Sequence, residues 1–114
     1  MVIAVVGSGG KTTRIHTLRD QYMAQGKTVL AATTTHMLAE EDTLLDPSAE
    51  DIIAQLKAKG YCMAGTSMPG TEKMGPLKEE VLKQASESAD ITLIEADGSK
   101  GLPVKYPADY EPVI

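Results

Sequence analysis

Six consecutive residues near the amino terminus, Gly7-Ser8-Gly9-Gly10-Lys11-Thr12, have the types and the spacing to hold an anion. Glycines let successive backbone N–H groups converge on one phosphate without Cβ clashes, and a helix opening near Lys11 aims the positive end of its dipole at the same point. Lys11 would neutralise the β and γ phosphates of a nucleotide, with Thr13 extending the contact set. The Thr12 hydroxyl suits Mg²⁺, a hard ion that takes oxygen ligands and keeps several waters. The strict phosphate-loop pattern requires a glycine at the position of Val5, so only the shorter Gly-x-x-Gly-Lys-Thr form is met. The competing explanation is a glycine-rich turn that packs a helix close to a strand.

A second acidic component is expected at the carboxyl end of another strand, and Glu95 ends the apolar run Ile91-Thr92-Leu93-Ile94. There it would hold Mg²⁺ through water or orient the attacking nucleophile. Asp97 follows two residues later and is a candidate base, although an aspartate before Gly98 can equally cap a turn. Thr33-Thr34-Thr35-His36 also lies at a strand end; its hydroxyls could complete a metal shell or touch phosphate, which makes Thr34 and Thr35 candidate contacts. His36 is a second candidate base, set against the commoner role of a hydrogen-bonded structural histidine. His16 reads as a surface residue of the first helix. Lys100 and Lys105 could contact an anion, against the ordinary case of solvated lysines.

Behind these residues the chain alternates strand and helix. Val2 to Val6 is a continuous apolar run of the kind buried on both faces of a parallel sheet. From Lys11 to about Gln25, Ile15, Leu18, Tyr22 and Met23 share a helical face, and Gly26 is placed to end the helix. Thr28 to Thr35 reads as a second strand closing a βαβ unit. After His36 the pattern weakens through Glu40-Glu41-Asp42. Ser48 with Asp51 then marks a capping-box start for a helix that ends at Gly60, with Ile52, Ile53 and Leu56 as its apolar face. Tyr61 to Ala64 is a short strand, Gly65 to Gly75 a long polar loop, and Pro76 the first residue of a helix whose inner face is Leu77, Val81, Leu82 and Ala85. Ile91 to Ile94 is the last strand. Ala96 to Ile114, carrying three prolines, should run irregularly.

The expectation is one α/β domain over residues 1–114, of the phosphate-loop NTPase type: three layers, α/β/α, around a mainly parallel sheet. At 114 residues and 42% hydrophobic content the chain can bury a single core, filled by small aliphatic side chains. Because it ends where another strand would be expected to follow, it reads as truncated at the carboxyl end. Sixteen acidic against 11 basic residues, net charge −5, oppose binding to a nucleic-acid backbone. Aromatic content of 4%, all tyrosine, rules out a base-stacking platform. Cys62 is the lone cysteine, which excludes an internal disulfide and fits a reducing compartment. With neither a signal peptide nor a spanning segment in view, a cytoplasmic protein is expected.

Three blocks together, Val5-Val6-Gly7-Ser8-Gly9-Gly10-Lys11-Thr12-Thr13, Thr33-Thr34-Thr35-His36-Met37 and Glu95-Ala96-Asp97-Gly98-Ser99-Lys100-Gly101 with the later Glu111-Pro112-Val113, resemble the selenium-dependent hydroxylase accessory family (YqeC-like). The resemblance spans nearly the whole chain, and members of that family are longer. It implies a nucleotide binder encoded beside molybdenum hydroxylases and their cofactor-maturation factors, with those proteins as partners. The loop is also similar to that of Mur-type peptide ligases, with Ser8 and Gly9 replacing Thr and Asn, and with Glu95 where those enzymes carry a metal-binding glutamate. The combined expectation is a protein that binds ATP or another NTP with Mg²⁺ and works by hydrolysis or phosphoryl transfer in hydroxylase maturation. Lys11 would stabilise developing charge, Thr12 and Glu95 would hold the metal, and Asp97 or His36 would act as base. The alternatives are a Mur-like ATP-dependent ligase domain and a nucleotide-gated module that binds a cofactor or partner without hydrolysis.

Overall fold

Apolar runs flanked by turn formers become strands here because their neighbours cover both faces. The computed structural model describes residues 1–5, 11–96 and 111–113. In chain order its elements are β1 (Val2–Val5), α1 (Lys11–Ala24), β2 (Val29–Thr33), β3 (Met37–Leu38), β4 (Leu44–Leu45), α2 (Ala49–Lys59), β5 (Tyr61–Ser67), β6 (Lys73–Gly75), α3 (Glu79–Ser88), β7 (Ile91–Glu95) and β8 (Glu111–Val113). The sheet runs β3-β6-β5-β2-β7-β1-β8, with β4 beside β5. All pairings are parallel except those of β6, which is antiparallel to β3 and β5. Every residue of β1, β2 and β7 is buried, as a parallel sheet covered on both faces requires.

Alternation along each strand divides the core in two. Leu30, Ala32, Cys62, Ala64 and Ile94 pack with Ile52 and Leu56 of α2 and Leu82 and Ala85 of α3. Ile3, Val5, Val29, Ala31, Met63, Ile91 and Leu93 pack on the other side around Ile15 of α1, with Leu18 and Tyr22 against them. The result is α/β, with α1 on one face and α2 and α3 on the other. Among the described residues no helix is long and apolar enough to cross a membrane.

Local punctuation works as the residue types dictate. Ser48 accepts from the Asp51 N–H and the Asp51 side chain accepts from the Ser48 N–H, so α2 opens with a full capping box. Gly60 closes that helix at φ 79°, in the left-handed region that glycine enters without strain. Gly26, at φ 80°, donates to the Met23 carbonyl just past α1.

Several sequence expectations are corrected. The strand beginning near Thr28 stops at Thr33: the Thr34 N–H makes the last backbone bond to β7, and the Thr34 and Thr35 hydroxyls fold back onto Glu95. The supposed polar loop 65–75 contains the end of β5 and all of β6, joined as a hairpin. Its close strand approach depends on Gly65, where an added Cβ would lie 2.6 Å from the Gly75 carbonyl oxygen. Pro76 is not the first helical residue: its carbonyl accepts from the Thr66 hydroxyl at 3.0 Å, which keeps it with the strands, and α3 begins three residues later. Met23, expected on the inner face of α1, is exposed. Residues 111–113 form strand β8 parallel to β1 rather than irregular chain. Pro112 is tolerated there because this strand has a neighbour on one side among the described residues.

Candidate functional site

The central parallel strands β1, β7 and β2 end side by side. Glu95 is in register with Val5 on one flank and Thr33 on the other, so the three form a row at the carboxyl ends of the strands. Strand alternation puts the row on the face that α1 covers, continuous with Ile3, Leu93 and Ala31 below it. From Val5 the chain has residues 6–10 before α1 opens at Lys11. The amino end of a 14-residue helix, with its partial positive charge, thus follows closely on the strand beside Glu95.

Glu95 is 5% exposed, and its hydrogen bonds account for that burial. The Thr33 hydroxyl donates to Glu95 Oε2 at 3.2 Å and also lies 3.4 Å from the Glu95 carbonyl oxygen. The Thr35 hydroxyl reaches the same Oε2 at 3.5 Å. Thr34 donates to the Glu95 carbonyl twice, from its N–H at 2.9 Å and from its hydroxyl at 3.2 Å. The Thr35 N–H donates to the Thr33 oxygen at 3.0 Å, closing the turn. The three consecutive threonines therefore wrap the end of β7.

The candidate residues are distributed as follows. Gly7, Ser8, Gly9, Gly10, Asp97 and Lys100, with Lys105, lie outside the described residues. Lys11, Thr12 and Thr13 are the first three residues of α1; Thr13 is exposed, and its carbonyl accepts from the Thr17 hydroxyl. Thr34 and Thr35 are brought to Glu95, and His36 follows them as an exposed residue. His16 is half-buried on α1 rather than simply at the surface, and its Nε2 pairs with Glu40 Oε2. Thr33, fully buried, belongs to the hydroxyl cluster expected at this strand end, but Thr34 and Thr35 rather than Thr33 were the expected contacts. What sets Thr33 apart from its neighbours is that it stands as far along its own strand as Glu95 does along β7, which requires the register to be known.

Chemically, the described part of the site is an oxygen-only donor set: one carboxylate and two hydroxyls. Such donors suit a hard cation and exclude a soft one. Among the described residues no group of three or more His, Cys, Asp or Glu could by itself hold a metal ion. A cation here would share Glu95 with oxygens of a ligand, the usual arrangement for Mg²⁺ on nucleotide phosphates.

Compared with known proteins, residues 3–114 match the family described as YqeC protein. The chain is 35% identical over 120 aligned positions to the uncharacterized protein YqeC of Escherichia coli (strain K12), an alignment covering 99% of this chain and 46% of that protein. It thus spans about half the length of this curated relative. No solved structure matches it.

Proposed function

Because the chain belongs to the YqeC family, we propose that it is the nucleotide-binding portion of an accessory factor for a selenium- or molybdenum-dependent hydroxylase, taking ATP or another NTP with Mg²⁺. One observation carries this reading: buried Glu95 stands in register beside Val5, the last residue of the strand that leads through Gly7-Ser8-Gly9-Gly10 into α1. A carboxylate at that position complements a phosphate-binding loop as metal partner. In this reading the fold is of the phosphate-loop NTPase type. The backbone of residues 7–10 holds the phosphates, Lys11 neutralises charge on them, and Thr12 with Glu95 holds Mg²⁺. Mg²⁺ supplies charge neutralisation on the phosphate oxygens when bound. Asp97 and His36 are the candidate bases if the nucleotide is hydrolysed. The role in hydroxylase maturation comes from the family resemblance alone, and a cytoplasmic location accords with the lone Cys62.

Calorimetric titration of ATP, GTP and CTP into the full-length protein, with and without Mg²⁺, tests the reading. At least one nucleotide is expected to bind, with Lys11→Ala weakening it at least tenfold while the circular dichroism spectrum is kept. Silence from all three sinks the proposal. Binding without turnover, even with a molybdenum hydroxylase added, would assign a nucleotide-gated module rather than an NTPase.

A further inference from the structure

Thr33 does something that the motif does not require. A buried carboxylate at a metal site can rotate about its last bond unless its oxygens are held, and rotation would blur the position of the ligand it offers. Here Oε2 of Glu95 faces two hydroxyls, those of Thr33 and Thr35. The Thr33 hydroxyl has little freedom of its own. It is β-branched, 1% exposed, and its oxygen already accepts the Thr35 N–H at 3.0 Å. Its single hydrogen is therefore directed toward Glu95, whose Oε2 and carbonyl oxygen lie 3.2 and 3.4 Å away. A chain of fixed groups thus runs from the Thr35 backbone through Thr33 to the carboxylate.

We propose that Thr33 is a positioning residue whose hydroxyl, backed by the Thr35 N–H, orients the Glu95 carboxylate for a hard divalent cation on a bound nucleotide. This rests on the function proposed above. Thr33 touches neither metal nor nucleotide in this role; it acts through Glu95. Thr34 has a different part, since both its donors bind the Glu95 backbone carbonyl and tie β2 to β7 rather than reaching outward.

The test measures Mn²⁺ affinity, as a spectroscopic substitute for Mg²⁺, on the full-length protein saturated with ATP, beside ATP affinity in EDTA and the thermal midpoint. Thr33→Val is expected to weaken Mn²⁺ about tenfold, the low end for loss of a group that orients a metal ligand. Thr33→Ser, which keeps the hydroxyl, should stay within about twofold, and ATP affinity in EDTA should not change. Thr92→Val removes a hydroxyl buried on the opposite face of the sheet and should leave Mn²⁺ affinity unchanged. In a Glu95→Gln background the Thr33→Val effect should vanish. If Thr33→Val fails to fold, Thr33→Ala, which removes the same hydroxyl with less bulk in the buried site, carries the same comparison. Wild-type Mn²⁺ affinity in Thr33→Val, or in Thr33→Ala where that stands in for it, with a clear loss in Glu95→Gln, overturns the positioning role and leaves the proposed function standing. No loss in Glu95→Gln itself removes the metal role of Glu95 and this inference with it.

Discussion

At the residue scale, two threonines on β7 and β2 show how neighbouring environments give one side chain opposite consequences. Thr33 has its hydroxyl bonded on both sides, whereas Thr92, 0% exposed, has a hydroxyl with no hydrogen-bond partner among the described residues. It stands between Val2 and Leu30 on the face covered by α2 and α3. A buried hydroxyl without a partner loses its bonds to water and gains nothing in return. Thr92→Val keeps the shape and removes that penalty, so it is expected to raise stability by about 1 kcal/mol in urea denaturation. A fall in stability would show that the hydroxyl is satisfied after all. Val5 illustrates the same dependence on environment. Where the strict motif has glycine, this chain has a fully buried side chain in the core between sheet and α1, so the position serves packing.

At the element scale, the β5–β6 hairpin was hidden because its signals are weak. β6 is three residues long and lies in a segment rich in polar residues and glycine. What makes it a strand is contact: Met74 is fully buried in the core beside Met37 and Met63, and Gly65 lets the two strands close. Gly65→Ala would set a methyl group 2.6 Å from the Gly75 carbonyl oxygen and 2.7 Å from the Met74 sulfur. Because a backbone oxygen cannot move aside cheaply, the expected cost is roughly 2 kcal/mol, with faster amide exchange in residues 66–75 than in β1 or β2. A neutral result would mean that the hairpin breathes enough to admit the methyl. The ends of α2 and the close of α1 were legible by contrast, since Ser48, Asp51, Gly26 and Gly60 act locally and announce their roles in residue type alone.

At the scale of the whole molecule, burial couples stability to pH on the alkaline side. Burial pushes the Cys62 thiol from its ordinary 9.0 to about 12, and burial, then the charge of Glu40, pushes the Tyr61 phenol from 10.0 to about 12 while Arg19 opposes it. Arg19 lies over the Tyr61 ring, 4.9 Å from its centre. Both groups are neutral when protonated, and the fold favours that form. Their contribution is complete below pH about 9 and is lost as pH rises toward about 12, because the unfolded chain releases these protons first. The denaturant midpoint should therefore fall between pH 9 and 12, and Cys62→Ala should show less of that fall despite lower stability at pH 7. An unchanged midpoint across that window would show that neither group is held neutral by the fold. The same molecule separates what was written in residue types from what was not. Strands β1, β2, β5 and β7, helices α1 to α3, the caps of α2 and the place of Glu95 at a strand end were readable from hydrophobic period, capping residues and turn formers, all of which depend on neighbours along the chain. Strand order was not: β7 inserts between β1 and β2, so the first strand–helix–strand unit joins strands that do not touch. Only that insertion sets Glu95 between Val5 and Thr33 and brings the Thr33 hydroxyl to the Glu95 carboxylate. Residues more than sixty apart in sequence met there because the two buried faces of the sheet could be covered together, a condition that acts on the assembled layers and leaves no local trace.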